Sequence, residues 1–257
     1  MINPKWTKYQ EIILSEQLCG LIPVYNNPLT IKAVAMKVRQ FIDHIIIVDD
    51  GSDDETASIL DQLSADDPEH ITVQRMPSNQ GKGAAVQAGL KLAQAKQFSH
   101  ALQVDADGQH VLADIPRFIE AMKKNPNALI IGAPIFDDDI PAIRKHGRKL
   151  TVAIVALEAG SLKLPDAMCG FRIYPVQPTC ALGRMGSRMS YDPEVMVHAH
   201  WANIPFIIIP TQVRYLSAEE GGVSHFRMVR DNLLNVWAHT RLTLQAPIRW
   251  LLRWAKQ

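Results

Sequence analysis

No stretch of these 257 residues approaches the roughly 18 consecutive apolar residues that cross a bilayer. Met1 to Gln17 also lacks the apolar centre of a secretory signal. Cysteine is scarce: Cys19, Cys169 and Cys180 are odd in number and far apart, which fits reduced thiols rather than a disulfide scaffold. Excess charge is missing too. Lys and Arg total 27 against 26 Asp and Glu, a formal net charge of +1, so nothing draws the chain to nucleic acid. Repeats, low-complexity tracts and linkers are absent from the first two-thirds. These absences predict a cytoplasmic globular protein that can touch the inner face of a membrane without spanning it.

What is present is α/β texture. Short apolar runs alternate with amphipathic stretches, the pattern of an open, mainly parallel sheet flanked by helices. Leu18 to Val24, His44 to Val48, Ile71 to Arg75, His100 to Val104 and Leu129 to Ile131 read as strands. Asn27 to Phe41 carries Ile31, Val34, Ala35 and Val38 at helical spacing, and Gly83 to Lys96 is an alanine-rich helix. Asp114, with Pro116 behind it, reads as an N-cap. Past Ala133 come an acidic loop (Asp137 to Asp139), a basic helix with Arg144 and Arg148, and a strand near Phe171 to Tyr174. A helix from about Asp192 to Ala202 and an apolar run, Phe206 to Ile209, follow. From His225 onward six basic residues face one acid, Asp231. Ile248 to Lys256 sets Trp250, Leu251 and Trp254 opposite Arg249, Arg253 and Lys256. That end is either an interfacial amphipathic helix or a helix packed by its tryptophans.

Chemistry concentrates in Asp105-Ala106-Asp107-Gly108-Gln109, at the end of a predicted strand. Residues two apart on a strand share a face, so both carboxylates and the Gln109 amide oxygen can converge. Such hard oxygen ligands suit Mg²⁺ or Mn²⁺ and leave positions open for a diphosphate. Val48-Asp49-Asp50-Gly51-Ser52 also closes a strand, where open α/β sheets bind ligands. Its acids can hydrogen-bond a base or ribose, or serve as turn and cap residues, with Asp53 or Asp54 capping the next helix. Asn79-Gln80-Gly81-Lys82-Gly83 opens a helix with backbone N–H groups and a lysine suited to an anion, without the spacing of a Walker motif.

Pro23-Val24-Tyr25-Asn26, Val48 to Ser52, Asn79 to Gly83 and Asp105 to His110 stand in the order found in family 2 glycosyltransferases. The set most resembles the branch of dolichyl- and polyprenyl-phosphate mannosyl- and glucosyltransferases. Arg144 and Arg148, Asp166, Cys169 to Arg172 and Asp192-Pro193-Glu194 agree with it. The resemblance implies a GT-A fold, Rossmann-like, with a mixed, mostly parallel central sheet flanked by helices, over 1–224, followed by a basic amphipathic helical extension, 225–257. It implies an inverting, metal-dependent transfer from a UDP- or GDP-sugar to a lipid or polyprenyl phosphate, with a soluble hydroxyl acceptor or a non-catalytic relative as alternatives. It places Pro23, Tyr25 and Asp50 near the base and ribose, and Asp49, Lys82, Asp105 and Arg144 complete the candidate contacts to the nucleotide sugar. Asp105, Asp107 and Gln109 fall to the metal. Asp166, Asp192 and Glu194 are the candidate bases, and Arg144, Arg148 and Arg172 can bind the diphosphate or an acceptor phosphate by bidentate hydrogen bonds. Asp166 can instead orient Arg172, and Asp192 can instead cap its helix. The chain departs from the pattern at Asn27, at Gly132-Ala133-Pro134 and at Ser224-His225.

Overall fold

Every residue of Leu18–Val24 is buried, and this run forms β1 at the centre of a seven-stranded sheet. The computed structural model describes residues 17–135, 142–161, 164, 169–213 and 228–254, with backbone alone for 142–150, 228–229 and 252–254. In chain order the elements are β1, α1 (Ile31–Arg39), β2 (His44–Asp49), α2 (Asp54–Asp66), β3 (Ile71–Arg75), α3 (Lys82–Ala95) and β4 (His100–Gln103). After a 3-10 turn at Leu112–Asp114 come α4 (Ile115–Lys124), β5 (Leu129–Ile135), α5 (Ala142–Ala159) and β6 (Arg172–Pro175). Then follow α6 (Val176–Cys180), α7 (Tyr191–Trp201), β7 (Phe206–Gln212) and α8 (Met228–Trp254).

The sheet order is β3-β2-β1-β4-β6-β5-β7. β1 pairs in parallel with β2 and β4, with Pro23 opposite Val48 and Leu21 opposite Gln103. β6 is antiparallel to both β4 and β5, and the sheet resumes a parallel pair at β5 and β7. Side chains alternate across β1. Leu18, Ile22 and Val24 join α1 and α4 on one face, with Phe118 and Ile119 packed there. Cys19 and Leu21 join α3 and α7 on the other, with Ala85, Leu90 and Val195. Helices thus cover both faces, and the loops at the carboxyl ends of β1, β2 and β4 are left to build a site.

Local capping matches expectation in one place and departs from it in two. Asp53 caps α2 by accepting from Thr56 N at 3.1 Å. Asp114 makes no cap bond; its carboxylate takes Arg117 Nη1 at 2.9 Å and Thr211 Oγ1 at 2.7 Å, tying α4 to β7. Asp192 does not cap α7 either, because the helix begins at Tyr191 and Ser190 holds the cap position. The basic C-terminal segment is the end of a 27-residue helix with Pro247 inside it. Among the described residues no helix is long and apolar enough to cross a membrane.

Candidate active site

Asp105 leaves the end of β4 and points its carboxylate at a lysine from another element. Lys82, the first residue of α3, places Nζ 2.9 Å from each Asp105 oxygen and 3.4 Å from Asp192 Oδ2. His110 Nε2 stands 3.4 Å from Asp105 Oδ2, its ring stacked on Phe171. Gln103 Nε2 adds a bond to Oδ1 at 3.3 Å. Burial alone would raise the Asp105 pKa, but Lys82 and His110 outweigh it and hold the carboxyl well below the usual range. Burial would likewise lower Lys82, yet Asp105 and Asp192 hold it above its ordinary value.

Asp107 behaves oppositely. Burial, then the neighbouring Asp105 charge, raises its pKa, although Gln109 N donates to Oδ1 at 3.0 Å. One carboxylate is therefore compensated and its neighbour is not. Among the described residues no three His, Cys, Asp or Glu side chains enclose a metal unaided. The donor set still fits an open hard-cation site: two carboxylates and an amide oxygen, with the uncompensated charge of Asp107 to be neutralised and ligands to spare for phosphate oxygens.

Gly170 closes one wall. A Cβ there would lie 2.4 and 2.6 Å from the Asp105 oxygens and 2.7 Å from Lys82 Nζ, so only glycine lets this backbone pass. Arg172, two residues on, is fully buried and does not open into the cleft. Its Nε donates to Cys169 O at 2.7 Å and its Nη1 to Asp192 O at 3.3 Å, with Asp192 Oδ1 at 3.5 Å. That geometry makes Arg172 a brace behind Asp192 and the Gly170 wall rather than a group that touches substrate.

The remaining residues form the rim. Asp50 accepts from Gln80 N and Gly81 N, both at 2.7 Å, and so fastens β2 to the start of α3. Its pKa is raised by burial despite those bonds. Asp49 accepts from Ser52 N at 2.9 Å and faces Arg75 Nε at 3.3 Å, the turn reading of that acid. Gly51 sits at φ +73, and a Cβ there would be 2.7 Å from the Ser78 carbonyl carbon. Asn26 N donates to Ser52 Oγ at 3.1 Å while its Oδ1 accepts from Asp53 N at 2.8 Å. Buried Pro23 and partly buried Tyr25 thereby flank the loop that holds Asp50.

Asp192 and Glu194 are both buried, but two positions on a helix turn them apart. Asp192 faces Lys82 and Arg172, whereas Glu194 accepts from Gly186 N and is paired with Arg241 of α8. The arrangement brings together Lys82, Asp105 and Asp192; it leaves Glu194 on the far side. Asp166 lies outside the described residues, as do the side chains of Arg144 and Arg148 on α5. Sequence reasoning gave no role to His110, Gln103, Arg188 or Arg241. His110 adjoins the acidic motif and was within reach of it. Arg188, which donates to Asn79 Oδ1 at 3.1 Å, and Arg241 had no local signal.

The family model for Glycosyl transferase family 2 matches residues 20–191. A dolichyl-phosphate beta-glucosyltransferase of Trichomonas vaginalis is 25% identical over 246 residues, covering 87% of this chain and 74% of the relative. The dolichyl-phosphate beta-glucosyltransferase of Dictyostelium discoideum is 26% identical, covering 73% of this chain and 63% of its own length. A polyprenol monophosphomannose synthase of Mycolicibacterium smegmatis is 33% identical over 104 residues, covering 40% of this chain and 39% of the relative. Among solved structures, glucosyl-3-phosphoglycerate synthase from Mycobacterium tuberculosis with UDP superposes with a TM-score of 0.67 at 11% identity, covering 96% of this chain and 85% of that one. The same enzyme with Mn²⁺ and UDP-glucose gives 0.63 at 13% identity, covering 93% and 84%. The shared fold is that of the GT-A glycosyltransferases.

Proposed function

The chain belongs to glycosyl transferase family 2, and from that premise we propose that it moves a hexose from a uridine-diphosphate sugar to a lipid phosphate at the cytoplasmic face of a membrane. One observation carries the choice of acceptor. Of the three candidate bases, the two among the described residues are committed to cations, Asp192 to Lys82 and Arg172, and Glu194 to Arg241. A hydroxyl acceptor needs a base to take its proton, whereas a phosphate monoester is already ionised near pH 7. The names of the relatives, which include dolichyl-phosphate glucosyltransferases and a polyprenol monophosphomannose synthase, support the same class.

In this reading an acceptor phosphate oxygen attacks the anomeric carbon opposite the departing diphosphate, inverting its configuration. Asp105, Asp107 and Gln109 would hold Mg²⁺ or Mn²⁺, which supplies Lewis-acid neutralisation of the leaving diphosphate. Lys82, on the first turn of α3, moves its charge from Asp105 toward the same diphosphate. Asp50 keeps the Gly81 turn in place so that the α3 N-terminus faces those oxygens. The Pro23–Tyr25 edge lies against the base and ribose. The test is incubation with labelled UDP-hexoses, Mn²⁺ and either a polyprenyl phosphate or a soluble polyol in detergent. UDP release coupled to organic-phase label is expected with the lipid phosphate. Transfer confined to the polyol would overturn the acceptor.

A further inference from the structure

Helix α8 has two unlike faces. Ala238, Leu242 and Ala246 are buried against α5 and α7. On the same side His239 Nδ1 lies 3.0 Å from Glu158 Oε1, and Trp250 Nε1 donates to Glu158 O at 3.3 Å. Turned about half a helical circumference away are Leu233, Trp237, Leu244, Ile248 and Leu251, each more than 60% exposed. Arg230 falls on that same outer stripe by its spacing. The helix carries a single acid, Asp231, and it is buried. A pocket of about 230 Å³ separates α8 from the loop before α7, lined by Arg184, Arg188, Ser190, Glu194, Trp237 and Arg241. Three guanidinium groups face one carboxylate there, so the pocket is cationic, and Trp237 belongs both to its lining and to the apolar stripe.

We propose that this face of α8 is a docking surface for an anionic bilayer, with the pocket receiving the phosphate of a lipid headgroup and the stripe resting among the acyl chains. Charge and shape select this occupant. A large apolar strip without acids, bordered by arginines, complements a leaflet that is anionic at the surface and apolar beneath. Tryptophan at the border between the two belongs at headgroup depth. The apolar stripe lies away from the Asp105–Lys82 site, and the pocket borders that site: Asp192 faces the site and Glu194 the pocket, while Arg188 of the pocket lining packs against Gly81. It rests on the proposed lipid acceptor only for its purpose, since an enzyme acting on lipid must reach the membrane. The geometry also redistributes the anchoring residues expected from sequence. Trp250 turns inward to Glu158 and Arg249 covers the Trp201 ring, while Leu251 stays on the outer stripe.

The experiment is co-sedimentation of the full chain with vesicles of phosphatidylcholine alone or with added phosphatidic acid. Arg184→Glu and the pair Leu244→Glu/Leu251→Glu are compared with wild type, and UDP affinity is followed by calorimetry. Binding only to the phosphatidate vesicles is expected, weakened about tenfold by each variant while UDP affinity is unchanged. Equal binding to both vesicle types, or variants that bind like wild type, would overturn the proposal. So would inorganic phosphate displacing the vesicles at millimolar levels, which marks a free-phosphate site, or a dimer in light scattering that Trp237→Glu dissociates. Failure of UDP binding with these vesicle results intact would instead count against the proposed sugar transfer.

Discussion

Lys82 Nζ lies 2.9 Å from both oxygens of the Asp105 carboxylate, so the chain's own cation stands where a divalent cation would bind. Under the proposed metal assignment, lysine and metal would compete for one carboxylate until a diphosphate accepts both. Lys82→Ala is expected to tighten Mn²⁺ binding without nucleotide by about tenfold, the equivalent of roughly 1.5 kcal/mol for one hydrogen bond to a charged group. The same variant should lose most of its transfer rate. Titration of free Mn²⁺ by electron paramagnetic resonance reads the first effect, and unchanged affinity would refute the competition.

Asp107 is the uncompensated acid, its pKa raised by burial and by Asp105. Asp107→Asn should therefore abolish transfer by removing a charged ligand, yet cost little folding stability, because among the described residues no cation is ion-paired with it. Asp105→Asn should abolish transfer and also destabilise the fold, since the partly buried Lys82 then keeps only Asp192 as a counter-charge among the described residues. Urea midpoints separate the two variants, and full turnover of wild type in EDTA would remove the metal from the account.

Gly170→Ala puts a methyl carbon into the Asp105–Lys82 contact, 2.4 Å from one oxygen. The carboxylate must turn away, so transfer is expected to fall more than about tenfold while the sheet behind it stays folded. Steady-state kinetics beside a circular-dichroism melt would show the split; wild-type kinetics would mean that the wall can yield.

The parallel half of the sheet was legible because β1 and β2 are near-continuous apolar runs, with β3 and β4 set off from them by helices of 3.6-residue period. The antiparallel insertion of β6 was not: Arg172–Pro175 carries no mark of direction, and its place between β4 and β5 is set by tertiary pairing. In the site, what sits within one motif could be read, as with Asp105 and Asp107. What depends on distant partners could not. Lys82 reaches Asp105 across 23 positions and Arg241 reaches Glu194 across 47, and no local pattern encodes either pair. Arg172 looked like a ligand for phosphate because arginine usually is one, until burial showed its donors spent on Cys169 and Asp192.

His198 gives a pH signature. Burial, with Arg241 and Arg249 nearby, pushes it from 6.5 down to about 4. Between those values the unfolded chain binds the proton and the folded one does not, so stability is complete above about pH 6.5 and is lost as pH falls toward 4. His198→Gln should remove that component. Urea midpoints of wild type and variant are expected to converge between pH 7 and pH 5, and parallel curves would refute the assignment.

The last prediction separates a base from a brace. Glu194 is buried and paired with Arg241, facing the α8 pocket rather than Asp105. If it served as general base, Glu194→Gln would cut kcat by about 10²–10⁴. The geometry instead predicts a kcat within about threefold of wild type and a folding loss on the order of 2 kcal/mol, because Arg241 keeps its charge without a partner. Asp192→Asn is expected to differ, since it strips a counter-charge from both Lys82 and Arg172 beside the reacting centre. Its transfer rate should fall, but the shape of the pH–rate profile should persist, governed by ionisation of the acceptor phosphate near pH 6. Were Asp192 the base, that acid limb would disappear with the carboxylate. Rates on a lipid phosphate from pH 5 to 8 decide between the two, because only a base removes its own titration when it is replaced.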